Sequence, residues 1–261
     1  MKTPPDYTKA HNLLEGKSVL ITAAAGAGIG FAAAKRAVEE GCRAITISDV
    51  HEGRLEQAAD ALQNLNSSAA VVFQLCDVTQ EDQVQSLVEL AEAEMSGVDV
   101  LINNAGLGGS RMLVDMPDEE WSRVLDVTLT GTMRMMRAVL PAMQESGSGV
   151  IVNNASVLGW RAQKEQTHYA AAKAGVMALT RCAAIEAAEH GVRINAVSPS
   201  IAFHEFLKKT TPAELLEQLA SKEAFGRAAE VWEVANVMMF LASDYSTYMT
   251  GEVVSVSSQH P

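Results

Sequence analysis

The chain has 261 residues, 48% of them hydrophobic, and a formal net charge of −12 at pH 7; the length suits a single α/β domain with a sizeable core, and the acidity argues against the cationic face that a nucleic-acid partner requires. The three cysteines, Cys42, Cys76 and Cys182, are odd in number and lack zinc-ligand spacing, which predicts reduced, mostly buried thiols and no metal site. Met1 to Leu14 lacks the apolar stretch of a signal peptide, and no apolar run reaches the ~18 residues of a membrane span, so the sequence predicts a soluble, cytoplasmic protein with no membrane partner.

Short apolar runs alternate with longer amphipathic ones. Residues 18–22 read as a buried strand, 28–40 as a helix closed by Gly41, 44–48 as a second strand and 52–65 as a second helix. Strands are predicted again at 71–75, 98–102, 150–153, 193–197 and 253–256, with helices at 81–95, 118–128, 132–144, 168–190 and 231–241. Strand runs without polar alternation are buried on both faces, as in a parallel sheet. Their alternation with helices implies right-handed crossovers. The prediction is a doubly wound, mostly seven-stranded parallel sheet with helices on both faces, a Rossmann fold, in one domain over residues 1–261.

The first strand runs into Thr22-Ala-Ala-Ala-Gly26-Ala-Gly28-Ile29-Gly30, and a helix follows. Glycines there allow close backbone approach, and the helix aims its N–H groups and positive end at a pyrophosphate. Asp49 ends the second strand about 20 residues further on, where a carboxylate accepts ribose hydroxyls and repels a 2′-phosphate. The glycine turn carries no Lys or Arg, and Lys35 and Arg36 come later on the helix. These features predict NAD rather than NADP as cofactor. The competing reading makes Asp49 a cap of the next helix.

Further segments follow in a fixed order. Cys76-Asp77-Val78-Thr79 comes after the third strand and Asn103-Asn104-Ala105-Gly106 after the fourth. Ser156 stands thirteen residues before Tyr169, and Tyr169-Ala-Ala-Ala-Lys173 opens a helix. This set, in this order, resembles the short-chain dehydrogenase/reductase family over essentially the whole chain. Tyr169 and Lys173 lie on one helix face. A phenol has an unperturbed pKa near 10, and a neighbouring ammonium together with an oxidised nicotinamide favours the phenolate. Tyr169 then exchanges the proton of an alcohol while hydride moves to or from the nicotinamide, and Ser156 hydrogen-bonds the same substrate oxygen. The resemblance further implies that Lys173 holds the nicotinamide ribose. By the same resemblance Asp77 and Val78 meet the adenine, while Asn104, Ala105, Gly106, Pro199 and Ile201 line the cofactor site. It also implies a variable substrate-covering segment at about 201–226 and a homotetramer or homodimer through helices 132–144 and 168–190.

Three segments depart from the family pattern. The glycine turn begins Thr22-Ala23 where the family has Thr-Gly, and it is one residue longer than the commonest form. Thr128 stands where the family has an Asn that holds a water in a proton relay behind the lysine; a hydroxyl is shorter but still donates and accepts. Pro199-Ser200 replaces Pro-Gly, and residues 255–261 replace a Gly-Gly end.

Residues 153–161, 197–202 and the Gln259-His260-Pro261 end resemble bacterial steroid-catabolic dehydrogenases of this family, which act on a ring C/D CoA thioester. Phe203, Phe206 and Leu207 are candidates for an apolar pocket wall, and Thr211-Pro212 for the start of a helix. Lys208, Lys209 and Arg161 are candidates for phosphate contacts, against the plainer reading of the lysines as a solvated lid. Arg111, Trp160, Arg161 and His168 are candidates for the rim; His168 adjoins Tyr169 but points elsewhere on its helix. The expected activity is NAD-dependent interconversion of a small-molecule secondary alcohol and its ketone by hydride transfer, and the resemblance implies a cyclic steroid-derived (ring C/D) CoA thioester as the substrate. The alternatives are a 3-oxoacyl thioester reductase and a non-catalytic dinucleotide-binding scaffold or sensor.

Overall fold

The interior strands are buried along most or all of their length, and that burial puts a layer of helices on each side of the sheet. The computed structural model describes residues 3–65, 68–203, 207 and 213–258. Its main sheet comprises β1 (Ser18–Ile21), β2 (Ala44–Asp49), β3 (Ala70–Leu75), β4 (Val100–Asn103), β5 (Gly149–Asn154), β6 (Val192–Pro199) and β9 (Val253–Val256), all parallel, in the order β3-β2-β1-β4-β5-β6-β9. β1, β2 and β4 are buried at every residue, whereas the edge strands β3 and β9 are partly exposed.

One hydrophobic layer lies under α1 (Ile29–Glu39), α2 (Glu52–Gln63) and α8 (Val231–Ala242), joining Ile21, Ile45, Ile47 and Ile102 to Ala33, Leu62 and Met238. The other lies under α3 (Glu81–Met95), α5 (Gly131–Ser146) and α6 (Thr167–Ala188), joining Leu20, Leu101 and Ile151 to Leu87, Met135 and Ala184. Each fully buried Leu or Ile contributes about 1.5–3 kcal/mol of transfer free energy. The strand order reverses between β1 and β4, so the loops leaving their carboxyl ends diverge and open the crevice where doubly wound sheets bind ligands.

The structure departs from the sequence prediction in three places. The helices expected at 118–128 and 132–144 join into one run: α4 (Asp118–Leu125), a π turn (Asp126–Thr130) and α5. Gly131 permits this, because a Cβ there would lie 2.6 Å from Val78 Cγ2. A small two-stranded sheet, β7 (Ala202–Phe203) with β8 (Ala229–Glu230), brackets the segment that contains α7 (Ala213–Lys222). Arg36 is buried in an ion pair with Glu40 (2.6 Å), and this pair ties down the N-terminal segment through Thr8, Lys9, His11 and Leu13. Phe206, Lys208, Lys209, Thr211, Pro212 and Gln259–Pro261 lie outside the described residues. Among the described residues, no helix is long and apolar enough to cross a membrane, and no group of three or more His, Cys, Asp and Glu is placed to hold a metal ion.

Candidate active site

The glycines of the first turn do different work. Gly26 has φ +93°, and a Cβ on Gly26 or Gly28 would meet nothing within 4 Å. These two border open space. Gly28 is also the N-cap of α1 and offers no side-chain cap, so the first-turn amides of α1 face that space as anion donors. A Cβ on Gly30 would instead lie 2.3 Å from the Ala23 carbonyl and 2.4 Å from Asn104 Nδ2. Gly30 lets α1 pack tightly against the turn, and Ile29 opens the helix beside it. A dinucleotide pyrophosphate fits this cradle: open backbone, uncapped amides and no side chain in the way.

Asp49 is 9% exposed at the end of β2, and its carboxylate spans the turn, accepting from the amides of Ala25 (3.2 Å) and His51 (3.2 Å). Burial raises its pKa, while the Ala25 amide and the charge of Arg54 pull it down. The N-cap of α2 is His51, two residues further on, so Asp49 is not that helix's cap. Arg54, in the exposed first turn of α2, is a cation near Asp49 that the sequence reading did not weigh. It comes from the helix after the acid, beyond both the glycine turn and the helix that carries Lys35 and Arg36. Lys35 pairs with Glu39 and covers Tyr7, and Arg36 is consumed by Glu40.

The turns after β3 and β4 close the crevice. Asp77 accepts from the amide and hydroxyl of Thr79, a local Asx turn, and buried Val78 packs on α5. Thr22 Oγ1 accepts from the amides of Asn104 and Ala105 (both 3.1 Å), which fastens the β4 turn to the glycine turn. A Cβ on Gly106 would lie 3.4 Å from Lys173 Nζ, so the backbone at Gly106 passes directly over the lysine. Pro199 closes β6, and the Ile201 carbonyl accepts from Ala229, tying the exit of β6 to β8.

Tyr169 and Lys173 sit one turn apart on α6, and Ser156 caps the short turn Val157–Gly159 that follows β5. Ser156 lies close enough to Tyr169 to favour its ionised form. The Lys173 ammonium lies 5.6 Å from the Tyr169 ring centroid and donates to the Asn154 carbonyl. Burial raises the Tyr169 pKa, and the nearby Ser156 hydroxyl only partly opposes it. Lys173 is 3% exposed, and burial pushes its pKa down to about 8. In the ligand-free chain, therefore, the lysine alone does not produce the phenolate.

Thr128 is fully buried in the π turn. Its hydroxyl accepts from the Leu107 amide (3.0 Å) and donates to the Leu107 carbonyl (3.2 Å). Its one donor is spent on the backbone of the loop after β4, and the partner of Lys173 is Asn154. Asn154 also donates through Nδ2 to Asn104 Oδ1 (2.9 Å), and Asn104 Nδ2 donates to the Ala23 carbonyl (3.0 Å). A chain of hydrogen bonds thus runs from the glycine turn to the lysine. Sequence reasoning missed Asn154, although its position beside Asn153, opposite Asn103 and Asn104 on the next strand, was the available signal.

The candidates for the rim are placed unequally. Trp160 is exposed, and Arg161 reaches Ser257 (3.3 Å). Arg111 pairs with Glu120 (3.0 Å). His168 is not at the rim: it is fully buried beneath the loop after β4, because the first turn of α6 turns its ring inward while Tyr169 faces the cleft.

Residues 23–258 match the family model described as enoyl-(acyl carrier protein) reductase. The chain is 60% identical to the (5R,7aS)-5-hydroxy-7a-methyl-1-oxo-2,3,5,6,7,7a-hexahydro-1H-indene-carboxyl-CoA reductase of Mycobacterium tuberculosis, over 100% of this chain and 99% of that protein. It is 37% identical to the 3-oxoacyl-[acyl-carrier-protein] reductase of Thermotoga maritima, over 93% and 97% of the two chains. A crystal structure of a short chain dehydrogenase from Mycobacterium smegmatis superposes with a TM-score of 0.89 at 56% identity, covering 99% of both chains.

Proposed function

The chain belongs to the short-chain dehydrogenase/reductase family and is an oxidoreductase of alcohols and ketones, and we propose that it uses NAD to interconvert a cyclic secondary alcohol and its ketone on a CoA thioester. One arrangement carries the chemistry: the Ser156 hydroxyl beside Tyr169, with Lys173 buried one helical turn away, at the open end of the glycine turn. When bound, the dinucleotide supplies the hydride acceptor at nicotinamide C4 and, in its oxidised form, a positive charge that offsets the burial of Tyr169. Tyr169 takes the hydroxyl proton in oxidation and returns it in reduction. Ser156 holds the substrate oxygen where charge develops. Lys173 orients the ribose, and Asn154 holds Lys173. Asp49 is placed to accept ribose hydroxyls, which supports NAD. The substrate follows the full-length relative named for an indene-carboxyl-CoA. Exposed Met112, Leu113, Val114 and Trp160 offer apolar surface for a ring system, and Arg161 is the described cation for the CoA phosphates. The working protein is taken to be a cytoplasmic homo-oligomer, a tetramer or dimer through α5 and α6, with 201–226 covering the substrate.

Turnover of the hexahydroindene-carboxyl-CoA substrate, its free acid and a linear 3-hydroxyacyl-CoA, each with NAD and NADP, tests this. The expected result is a kcat/KM for the bicyclic thioester at least roughly tenfold above either competitor, equivalent to about 1.4 kcal/mol, with NAD preferred. A preference for the linear thioester with NADP would establish the 3-oxoacyl reductase reading instead. One observation favours that second reading: the charge of Arg54 close to Asp49, where a 2′-phosphate would need a cation.

A further inference from the structure

The loop at residues 107–112, which leaves the Asn104–Gly106 turn, is fastened to the amino end of α6 by side chains and backbone together. Gln166 Nε2 donates to the Gly109 carbonyl (2.6 Å), Ser110 Oγ to Glu165 Oε2 (2.5 Å), and the Arg111 amide to the Glu165 carbonyl (3.0 Å). Glu165 holds φ at +67°, a conformation a β-substituted residue adopts at a cost. The loop therefore sits where α6 puts it. Gly108 lies directly over the catalytic ring: a Cβ there would be 3.6 Å from Tyr169 Cδ2.

Beneath the loop is His168. It is fully buried, neither ring nitrogen has a hydrogen-bond partner, and its Nε2 lies 3.6 Å from Glu120 Oε1. Glu120 Oε2 accepts from Arg111 Nε on the loop itself. The pair fills the space under Gly109, where a Cβ would lie 2.9 Å from His168 Nε2 and 3.2 Å from Glu120 Oε1. A buried imidazole without hydrogen bonds is costly, and an apolar side chain would fill the same volume without that cost. No hydrogen bond joins His168 to Tyr169 or Ser156, so it has no part in the proton path.

We propose that Glu120 and His168 form a shelf that fixes the height of the Gly108–Gly109 backbone over Tyr169, and that this shelf sets how the substrate is seated. Both are positioning residues, acting through the loop without touching the reacting atoms. The inference rests on the reading of Tyr169 as the proton carrier. Rigid support of this kind matters because a displaced loop loses contacts that bind ground state and transition state alike, which raises KM and leaves kcat nearly unchanged. The shelf and Gly109 are sterically complementary, so each should be sensitive to the size of the other.

Steady-state kinetics of the full chain with the hexahydroindene-carboxyl-CoA substrate test this, using Gly109→Ala, His168→Ala, the double variant, and His168→Gln as the conservative replacement. Gly109→Ala lifts the loop and His168→Ala lets it sink; each should raise KM by about tenfold with kcat within about threefold, the signature of lost uniform binding. In the double variant the new methyl occupies space vacated by the ring, so KM should return towards the parent and lie below that of either single variant. His168→Gln should stay within about threefold of the parent. The NAD dissociation constant should be unchanged throughout, which also shows that each variant is folded. Additive KM effects in the double variant, or single variants with the parent's KM, would overturn the shelf. If His168→Ala does not fold, the proposal is decided by Gly109→Ala alone and with His168→Gln: equal KM in parent and Gly109→Ala overturns it. Tyr169→Phe is the separate control. An active Tyr169→Phe would defeat the proton-carrier reading, whereas an inactive one with additive shelf variants would defeat the shelf alone.

Discussion

In the half of the cleft proposed to hold the cofactor, position is set mostly by backbone. Gly26, Gly28, Asp49 and Asn104 are held by main-chain conformation or by bonds to nearby main chain, as in the contacts of Asp49 with Ala25 and of Asn104 with Ala23. In the substrate half, position is set by side chains brought together from distant parts of the sequence: Gly109 with Gln166, Glu120 with His168, Arg161 with Ser257, and Glu223 with Ser258. The first kind of site survives most side-chain changes because the strand ends carry it. The second kind changes whenever one partner changes, which makes it the half on which substrate choice is readily altered. Lys173 joins the two, since it is tethered to the Asn154–Asn104 chain on one side and lies beneath Tyr169 on the other.

The largest effect expected is also the cleanest separation of the halves. Tyr169→Phe removes the proton path and leaves the glycine turn, Asp49 and Lys173 untouched. Turnover should fall by about 10²–10⁴-fold, the range for a lost general acid–base group, while the NAD dissociation constant measured by calorimetry stays within about twofold of the parent. Weakened NAD binding in proportion to the lost turnover would mean that the two halves are not separable in this way.

The cofactor half was also the legible one. Unbroken apolar runs such as 19–21 and 100–102 announce buried parallel strands, and glycines at a strand–helix junction announce the turn between them. Tyr169 and Lys173 were visible because Ser156 and the Asn103–Gly106 turn precede them in the family's order; the i, i+4 spacing alone would not have marked them. The π turn was not visible: 129–131 read as a break between two helices, whereas the slip depends on the approach of Val78 to Gly131. The two-residue ladder of β7 and β8 is too short to leave a pattern. His168 and Glu120 lie 48 positions apart on different helices, and nothing local marks them as partners. Asn154 was half legible: its side chain stands among Asn103, Asn104 and Asn153, but its contact with Lys173 uses its carbonyl, which any residue supplies.

A second prediction concerns what the junction costs. Burial lowers the Lys173 pKa from its usual 10.5 to about 8, so the folded chain binds the proton less well than the unfolded chain. Stability is therefore lower below pH 8, rises as pH increases from about 8 to 10.5, and levels off above. The full difference amounts to about 3 kcal/mol. Lys173→Met, which keeps the length and removes the charge, should stabilise the ligand-free protein by about 1–3 kcal/mol at pH 7, less the lost bond to Asn154. That gain should shrink across the same pH window. Urea denaturation at pH 7 and pH 10 measures it; a gain that does not diminish with pH would show that the ammonium is not the source.

The smallest effect lies in the cofactor half, at a position where backbone geometry and sequence disagree. Ala23 opens the turn with φ +51°, in the left-handed region where a Cβ crowds the following carbonyl at a cost of about 1–2 kcal/mol. Its carbonyl accepts from Asn104 Nδ2, and a Cβ on Gly30 would crowd that same carbonyl, so the conformation is fixed from outside by α1 and the β4 turn. Glycine at 23 would relieve the strain but would also free the unfolded chain, an entropy cost of about 0.4–1 kcal/mol. The balance predicts that Ala23→Gly stabilises the protein by about 0.5–1 kcal/mol, with NAD affinity and substrate KM both unchanged. Chemical denaturation and calorimetry read the two quantities separately. If Ala23→Gly were destabilising, the methyl would have to be contributing packing that outweighs its strain; if it weakened NAD, the rigidity of alanine at this position would be part of the phosphate cradle.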